Sequence, residues 1–469
     1  MKFFSQSSAS RGWCYDAMGR GTAVMSYIFL TAGILEISNQ VADENGMIPN
    51  TSFRANTIVT SMTTVTSFVT ALALPVLGAI VDHTDKRWQL SFYTILFLLC
   101  GNVFQAFALS PEFFWVIVVL QVFGTWAFSV HAMCTLAYLP ELTDDLLVRA
   151  DLNTFSNILL HLTQVVGIGL VLFLAEVLKI SGDDVAVSKL AQGLGAISGV
   201  LIFGYAWLFL MPKIPPLHNV RSLESGRKRE YLSQGYKQLG RTIRMMKKDY
   251  KTMMMFLVVT TFSESAIVAF ISLAITYMTE HMEMSSSEIG STLGIVLFMA
   301  APGSVLASKV TKSRGPIVSY KFCLVYWTLV TVCVPLFFTD PSHKPRALFL
   351  SVLWGVGLGW QFPVERDAYT KMIPEGQHTE LMGMYIFTSG VLSWLPPLIF
   401  TLVVNFGLNM GYGMLVLPLF YVIALFILIR KVVPGYEEAC DKADATKTKN
   451  RSDKAGGDTS VVTPEEMVP

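Results

Sequence analysis

Apolar runs of about twenty residues, parted by short polar turns, recur from one end of the chain to the other. They cover approximately 14–38, 56–81, 89–109, 112–137, 153–178 and 192–211, then 252–278, 289–308, 317–338, 347–366, 381–405 and 410–430. At 1.5 Å of rise per residue, each can cross a hydrocarbon core about 30 Å thick. The two-residue alternation and turn spacing of an outer-membrane barrel are missing, so the pattern predicts an all-α integral membrane protein of about twelve spans. Residues 212–251 are polar and divide the spans six and six. The expected organisation is therefore an N-terminal half over 1–211, a basic linker over 212–251, a C-terminal half over 252–432, and a disordered tail over 433–469.

Composition agrees: apolar residues make up 52% of the chain and charged residues 15%, less charge than soluble domains carry. The net charge of +1 does not speak for a nucleic-acid partner, because the charges are segregated, and none is expected. The lipid bilayer is the partner this composition requires. The N-terminus begins polar at Ser5, Gln6, Ser7 and Ser8, without the order of a cleaved signal peptide. Of the six cysteines, Cys100, Cys134, Cys323 and Cys333 fall inside spans, and Cys14 and Cys440 are expected on the reducing, cytosolic side. They form neither a disulfide framework nor a zinc-ligand spacing, so no metal is expected.

Lysine and arginine set the orientation. Residues 213–251 hold eleven of them against three acids, and the turns at 82–88 and 309–315 add Lys86, Arg87, Lys309, Lys312 and Arg314. The opposite face has Arg54, Lys179, Lys189, Lys344 and Arg346. The positive-inside rule then puts both termini and the linker in the cytosol. The sequon Asn50-Thr51-Ser52 falls in the first non-cytosolic loop, which makes Asn50 a glycosylation candidate; Asn450 lies in the cytosolic tail. The linker tract Tyr231–Lys251 has the basic amphipathic character of a helix lying on a bilayer, and also suits a solvated, topology-fixing linker.

The halves carry matching landmarks. Pro75, Asp82 and Arg87 follow span 2, and Pro302, Lys309 and Arg314 follow span 8 with the same internal spacing. Tyr138–Leu142 ("YLPEL") leads into span 5, and Met372–Gly376 ("MIPEG") leads into span 11. Duplicated halves are the build of many secondary transporters. Gly78 admits a close neighbour to span 2, and Asp82, Lys86 and Arg87 form a charged turn able to latch helices, with a bias of about 1–3 kcal/mol. This turn, Gly-x-x-x-Asp followed by basic residues, resembles that of the major facilitator superfamily between spans 2 and 3. The resemblance implies a major facilitator-type fold of two pseudo-symmetric halves, gated by that turn.

Finer features resemble the vacuole effluxer family, the autophagy-related amino-acid exporters. The stretch Gly12–Ala17, with Tyr15 and Asp16, is similar to that family's Trp-x-x-Tyr-Asp. The loop around Pro140 is similar to its loop before span 5. Pro374, Gly376, Glu380, Gly383 and Tyr385 match its signature before span 11. Two positions depart from the pattern and bear on the substrate: Ala17-Met18-Gly19-Arg20 follows the Tyr-Asp pair, and Pro396-Pro397-Leu398 stands in span 11. The resemblance covers about 15–435. It implies proton-coupled export of small amino acids across a vacuolar or lysosomal membrane, with a plasma-membrane site as the other possibility, by a monomer.

Ionisable groups within spans are costly and so are candidates for function. Glu264 lies about twelve residues into span 7, flanked by Ser263 and Ser265, and is the expected binder of a proton or a substrate ammonium. His131 in span 4 and His161 in span 5 could relay protons or serve as packing residues. Gln361, with Trp354 and Trp360, could offer a polar hook between aromatic walls, although Gly355, Gly357 and Gly359 favour close helix packing there. Thr60, Thr64 and Ser67 form a stripe on span 2 whose hydroxyls commonly bond back to their own helix.

No Walker lysine motif, metalloprotease helix or catalytic set is present, so neither an enzyme nor a bound cofactor is expected. A secondary transporter of a small solute leads. A sugar–cation symporter and a transporter-shaped receptor or scaffold are its rivals.

Overall fold

The computed structural model describes residues 7–83, 86–136, 138, 142, 146–213, 228–374 and 378–445, and it is helical almost throughout. The first set of spans is α1 (Ser8–Val41), α2 (Ile58–His83), α3 (Arg87–Ala108), α4 (Phe114–Leu136), α5 (Leu146–Val177) and α6 (Asp184–Tyr205). After the linker helix α7 (Lys228–Asp249) come α8 (Lys251–Glu280), α9 (Ser286–Arg314), α10 (Pro316–Phe337), α11 (Lys344–Thr370), α12 (His378–Val391), α13 (Leu395–Asn405), α14 (Met410–Met414) and α15 (Val416–Ile427). Among the described residues, ten helical segments are long and apolar enough to cross a membrane. The 26-residue α2 and the α12–α13 pair take the two other positions that hydropathy assigns.

Differences from the expected spans have local causes. α1 starts at Ser8, several residues earlier than its apolar core, because Ser7 caps it by accepting from the Ser10 amide at 3.1 Å. Span 11 is broken into α12 and α13. Pro396 and Pro397 lack the N–H groups that the Leu392 and Ser393 carbonyls would accept, so the helix restarts just ahead of them. The Ser393 hydroxyl and the Trp394 indole donate to the Gly390 and Val391 carbonyls left at the break. The tail differs too. Residues 436–445 are helical, where disorder was expected from 433 onward; the Tyr436 hydroxyl is buried and donates to the Ala368 carbonyl at 3.0 Å, tying this helix to α11. Residues 446–469 lie outside the described residues.

The linker forms a helix, and α7 docks against α2 through the Tyr236 hydroxyl, which donates to the Leu72 carbonyl. Met246 on the same helix is fully buried.

The two sets of helices touch most firmly on the face opposite the termini. There Thr60 and Thr401 share a 2.7 Å hydroxyl contact, and Asn39 donates to Glu280 at 3.1 Å. The Ser286 amide donates to Asp184 at 2.7 Å, and the Ser287 hydroxyl to the Ser181 carbonyl at 3.0 Å. Each of these bonds joins the two halves at this end. Replacing both Thr60 and Thr401 by valine removes one buried hydroxyl pair at nearly constant volume. Because both partners go together and no buried hydroxyl is orphaned, the closed face is expected to be nearly unchanged, shifting by less than about 1 kcal/mol. Distances between spin labels on that face, with and without the two substitutions, check this.

Candidate functional site

The described structure brings two polar clusters together, one in each half. In the second half, Glu264 on α8 and Glu365 on α11 face the same tyrosine. The Tyr385 hydroxyl lies 3.1 Å from Glu264 Oε1 and 3.2 Å from Glu365 Oε1. Tyr320 donates to Glu365 Oε2 at 3.0 Å, and Ser263 lies 2.7 Å from the Tyr320 hydroxyl and 3.3 Å from the same carboxylate oxygen. Glu365 is fully buried and Glu264 is 5% exposed.

Hydrogen counting shows what this arrangement can do. A phenol has one hydrogen, so Tyr385 donates to one carboxyl at a time; the other contact becomes a hydrogen bond when that carboxyl is protonated and donates back. Two ionised carboxylates would instead put like charges together in a water-poor site. The pair is therefore shaped to share a proton. Tyr385 is held by stacking on Tyr369, with ring centroids 5.3 Å apart, and Tyr369 in turn donates to the Leu381 carbonyl at 2.7 Å.

In the first half, Asp16 on α1 is completely buried and accepts from three elements. Arg20 Nε reaches Oδ2 at 3.0 Å, and Trp207 Nε1 reaches Oδ1 at 2.7 Å. His131 Nε2 lies 2.8 Å from Oδ1, and its Nδ1 lies 3.3 Å from the Ser91 carbonyl. Both ring nitrogens thus face acceptors, and an imidazole donates to both only when it carries two protons. A π-helical turn over Ala206–Leu210 sets Trp207 at the end of α6, where its ring meets His131 edge-on at 5.5 Å.

A cavity of about 420 Å³ lies between the halves, and none of the residues of the two clusters lines it. Helices α1 to α4 supply most of its wall, and α8 adds Val268, Ile271 and Ser272. Asn102, Gln105, Gln121, Thr125 and Gln192 give it hydroxyl and amide groups. Among the described residues, its lining holds no carboxylate, amine, guanidinium or imidazole.

The other sequence candidates fall away from this centre or outside the described residues. His161 sits between the exposed Ile158 and Leu162 on α5, and its ring bonds back to the Asn157 carbonyl at 2.7 Å. Gln361 is fully buried beneath the wall of the second half, where Tyr421 donates to it at 3.4 Å, and it does not line the cavity. Thr64 bonds back to Thr60, whereas Ser67 does face the cavity. In the charged turn, Arg87 is buried with its guanidinium 5.3 Å over the Tyr138 ring, and Lys86 is exposed. The side chains of Gly78, Asp82, Glu380 and Gly383, and all of Pro140 and Gly376, lie outside the described residues. Pro374 is buried, Tyr15 packs edge-on against Tyr205 at 5.2 Å, and Asn50 is exposed on the face opposite the termini with φ 61°.

Four participants were not singled out from the sequence: Glu365, Tyr320, Arg20 and Trp207. Glu365 fell at the end of an expected span, where a carboxyl reads as solvated. A signal was nevertheless available. His131 stands seven residues before Tyr138, and Glu365 stands seven before Met372, so the internal repeat pairs the two.

Ten long apolar helices with two further membrane-crossing positions, and a cavity walled by helices from both ends of the chain, define a polytopic membrane protein of carrier type. Residues 21–397 match the Major Facilitator Superfamily, and the chain belongs to that family. Among curated proteins it is similar to Autophagy-related protein 22 of two strains of Cryptococcus neoformans, 27% identical over 197 residues. That alignment takes in 39% of this chain, which spans about a third of the length of the relatives it matches. Among solved structures, a mutant form of the nucleoside transporter NupG superposes with a TM-score of 0.64 at 10% identity, covering 90% of this chain and 99% of that one. An inward open form of the xylose transporter XylE from E. coli gives 0.62 at 13% identity, covering 89% and 95%. At such identities the likeness speaks for the fold.

Proposed function

We propose that this chain is a proton-coupled secondary transporter that moves small amino acids from the lumen of a vacuole or lysosome to the cytosol by alternating access. The observation that carries the reading is the Glu264–Glu365 pair, two carboxyls joined through the single hydroxyl of Tyr385 one helical turn from the cavity wall. Such a pair spreads the single negative charge of its one-proton state over two carboxyls and the hydroxyl between them, with Arg366 as a nearby countercharge, so a proton can be gained there and lost again, which is what a coupling site must do. The resemblance of the sequence to the vacuole effluxer family supports the vacuolar membrane and an amino-acid cargo, and the similarity to Autophagy-related protein 22 agrees with that resemblance. With both termini cytosolic, as the lysine and arginine placement implies, the face sealed by Thr60, Thr401, Asn39 and Glu280 is lumenal. The conformation is then open toward the cytosol.

The energetics suffice. A pH difference of about 2 units supplies about 2.7 kcal/mol per proton, enough for roughly 100-fold coupled accumulation. The test is flux from vesicles containing the full chain and loaded with labelled leucine at acid internal pH. Efflux that rises about ten-fold over the no-gradient rate, and collapses with a protonophore, is the expected outcome. Flux of xylose but not of amino acids would favour the sugar–cation reading, and no flux of any solute would favour a scaffold.

A further inference from the structure

Asp16 occupies only one edge of the Arg20 guanidinium. Nε donates to Asp16 Oδ2 at 3.0 Å, and the two terminal amino groups meet no acceptor among the described residues. The side chain is only 11% exposed, and its two terminal amino groups, whose four N–H bonds the protein leaves unused, are not themselves buried. The shape that fills a guanidinium fork best is a carboxylate, through two parallel hydrogen bonds.

Its position gives this open edge a meaning. Ala23, Val24 and Tyr27, one and two turns further along the same face of α1, wall the cavity. α1 packs against α8, which presents Val268, Ile271 and Ser272 to the cavity from the face that carries Glu264 four residues earlier. Arg20 and Glu264 therefore each lie about one helical turn along their own helices from residues that wall a cavity whose described lining is uncharged.

We propose that Arg20 is the anchor for the substrate's carboxylate, which takes the free Nη edge, while Asp16, itself held by His131 and Trp207, fixes the guanidinium plane. The substrate's side chain enters the hydroxyl- and amide-lined space between α1 and α4, where a charged side chain would be desolvated without a partner. The class selected is thus the neutral amino acid. The inference rests on the amino-acid reading above and adds which residue reads the acid group.

The test compares L-leucine with L-leucinamide, which keeps the ammonium and side chain but has no carboxylate, as substrates of the full chain in vesicles. The native protein is expected to prefer leucine. Arg20→Gln is expected to raise the KM for leucine by about 10- to 100-fold and to leave leucinamide within about two-fold, so that the preference vanishes. Arg20→Lys keeps a charge for Asp16 but has no fork, and falls between. Equal loss for both ligands, or an unchanged leucine KM, would overturn the proposal while leaving amino-acid transport intact. Native vesicles that move neither ligand would overturn both readings together. If Arg20→Gln does not fold, judged by size-exclusion chromatography in detergent, Arg20→Lys and the native ligand pair still decide: leucinamide carried as well as leucine overturns it.

Discussion

Under a pH difference of about 2 units, Glu365→Gln is expected to reduce steady-state accumulation of substrate from up to about 100-fold to about one-fold, while exchange of labelled for unlabelled substrate continues. The amide is nearly the size of the acid, and its oxygen still accepts from Tyr320 and Ser263, so the fold around it should survive. What it loses is the second titratable site. With Glu365 replaced by the neutral amide, Glu264 keeps the Tyr385 hydroxyl and the nearby Arg366 charge but binds or releases its proton without a partner whose charge changes in step. Exchange needs only that the loaded carrier reorient, so it separates loss of coupling from loss of binding. Glu264→Gln should uncouple in the same manner but disturb less, because Glu264 meets Tyr385 alone of the groups that hold Glu365. Tyr385→Phe removes the shared hydroxyl but keeps both acids, and should slow coupled transport without abolishing it. Native-like accumulation by Glu365→Gln would remove the carboxyl pair from the mechanism.

How much of this could be read from the chain follows from what hydropathy measures. Transfer of a twenty-residue apolar helix into hydrocarbon depends on composition, so the spans were legible, and Glu264 was visible as an acid far inside one of them. Contacts between spans depend on which helix face meets which, and the spans here are apolar around most of their circumference. Nothing local says that Glu365 on α11 meets Tyr320 on α10 and Tyr385 on α12. Arg20 was visible as a departure from the vacuole effluxer pattern, but its relation to Asp16, one turn earlier, acquires chemical sense only once Trp207 and His131 are seen to hold the other carboxylate oxygen. The break at Pro396 is a different case. Its residues were noted, and the missing N–H groups predict the interruption, yet continuous hydrophobicity across 381–405 concealed it.

The largest loss of stability is expected at Gly359, where α11 crosses α9. A Cβ built there would stand 1.8 Å from the Ala300 carbonyl oxygen and 2.6 Å from the carbonyl carbon, so the obstacle is backbone and no rotamer can relieve it. The same crossing uses Gly303 against the Val356 carbonyl and Gly355 against the Val296 carbonyl. Proximity here has a second purpose. Pro363 has no N–H to offer the Gly359 carbonyl one turn back, and the Ser304 hydroxyl from α9 reaches that orphaned oxygen at 3.0 Å. Gly359→Ala must push the helices apart, removing dispersion contacts along the seam and this hydrogen bond together, a loss of about 2–5 kcal/mol. Ser304→Ala, which removes only the donor, should cost about 1 kcal/mol. Gly169→Ala on α5, where nothing lies within 4 Å of the new methyl, serves as the control and should be neutral or slightly stabilising. Thermal unfolding in detergent, followed by tryptophan fluorescence, should therefore order the midpoints Gly169→Ala, native, Ser304→Ala and Gly359→Ala from highest to lowest. A Gly359→Ala midpoint within a degree or two of native would mean that α9 and α11 do not pack through their glycines.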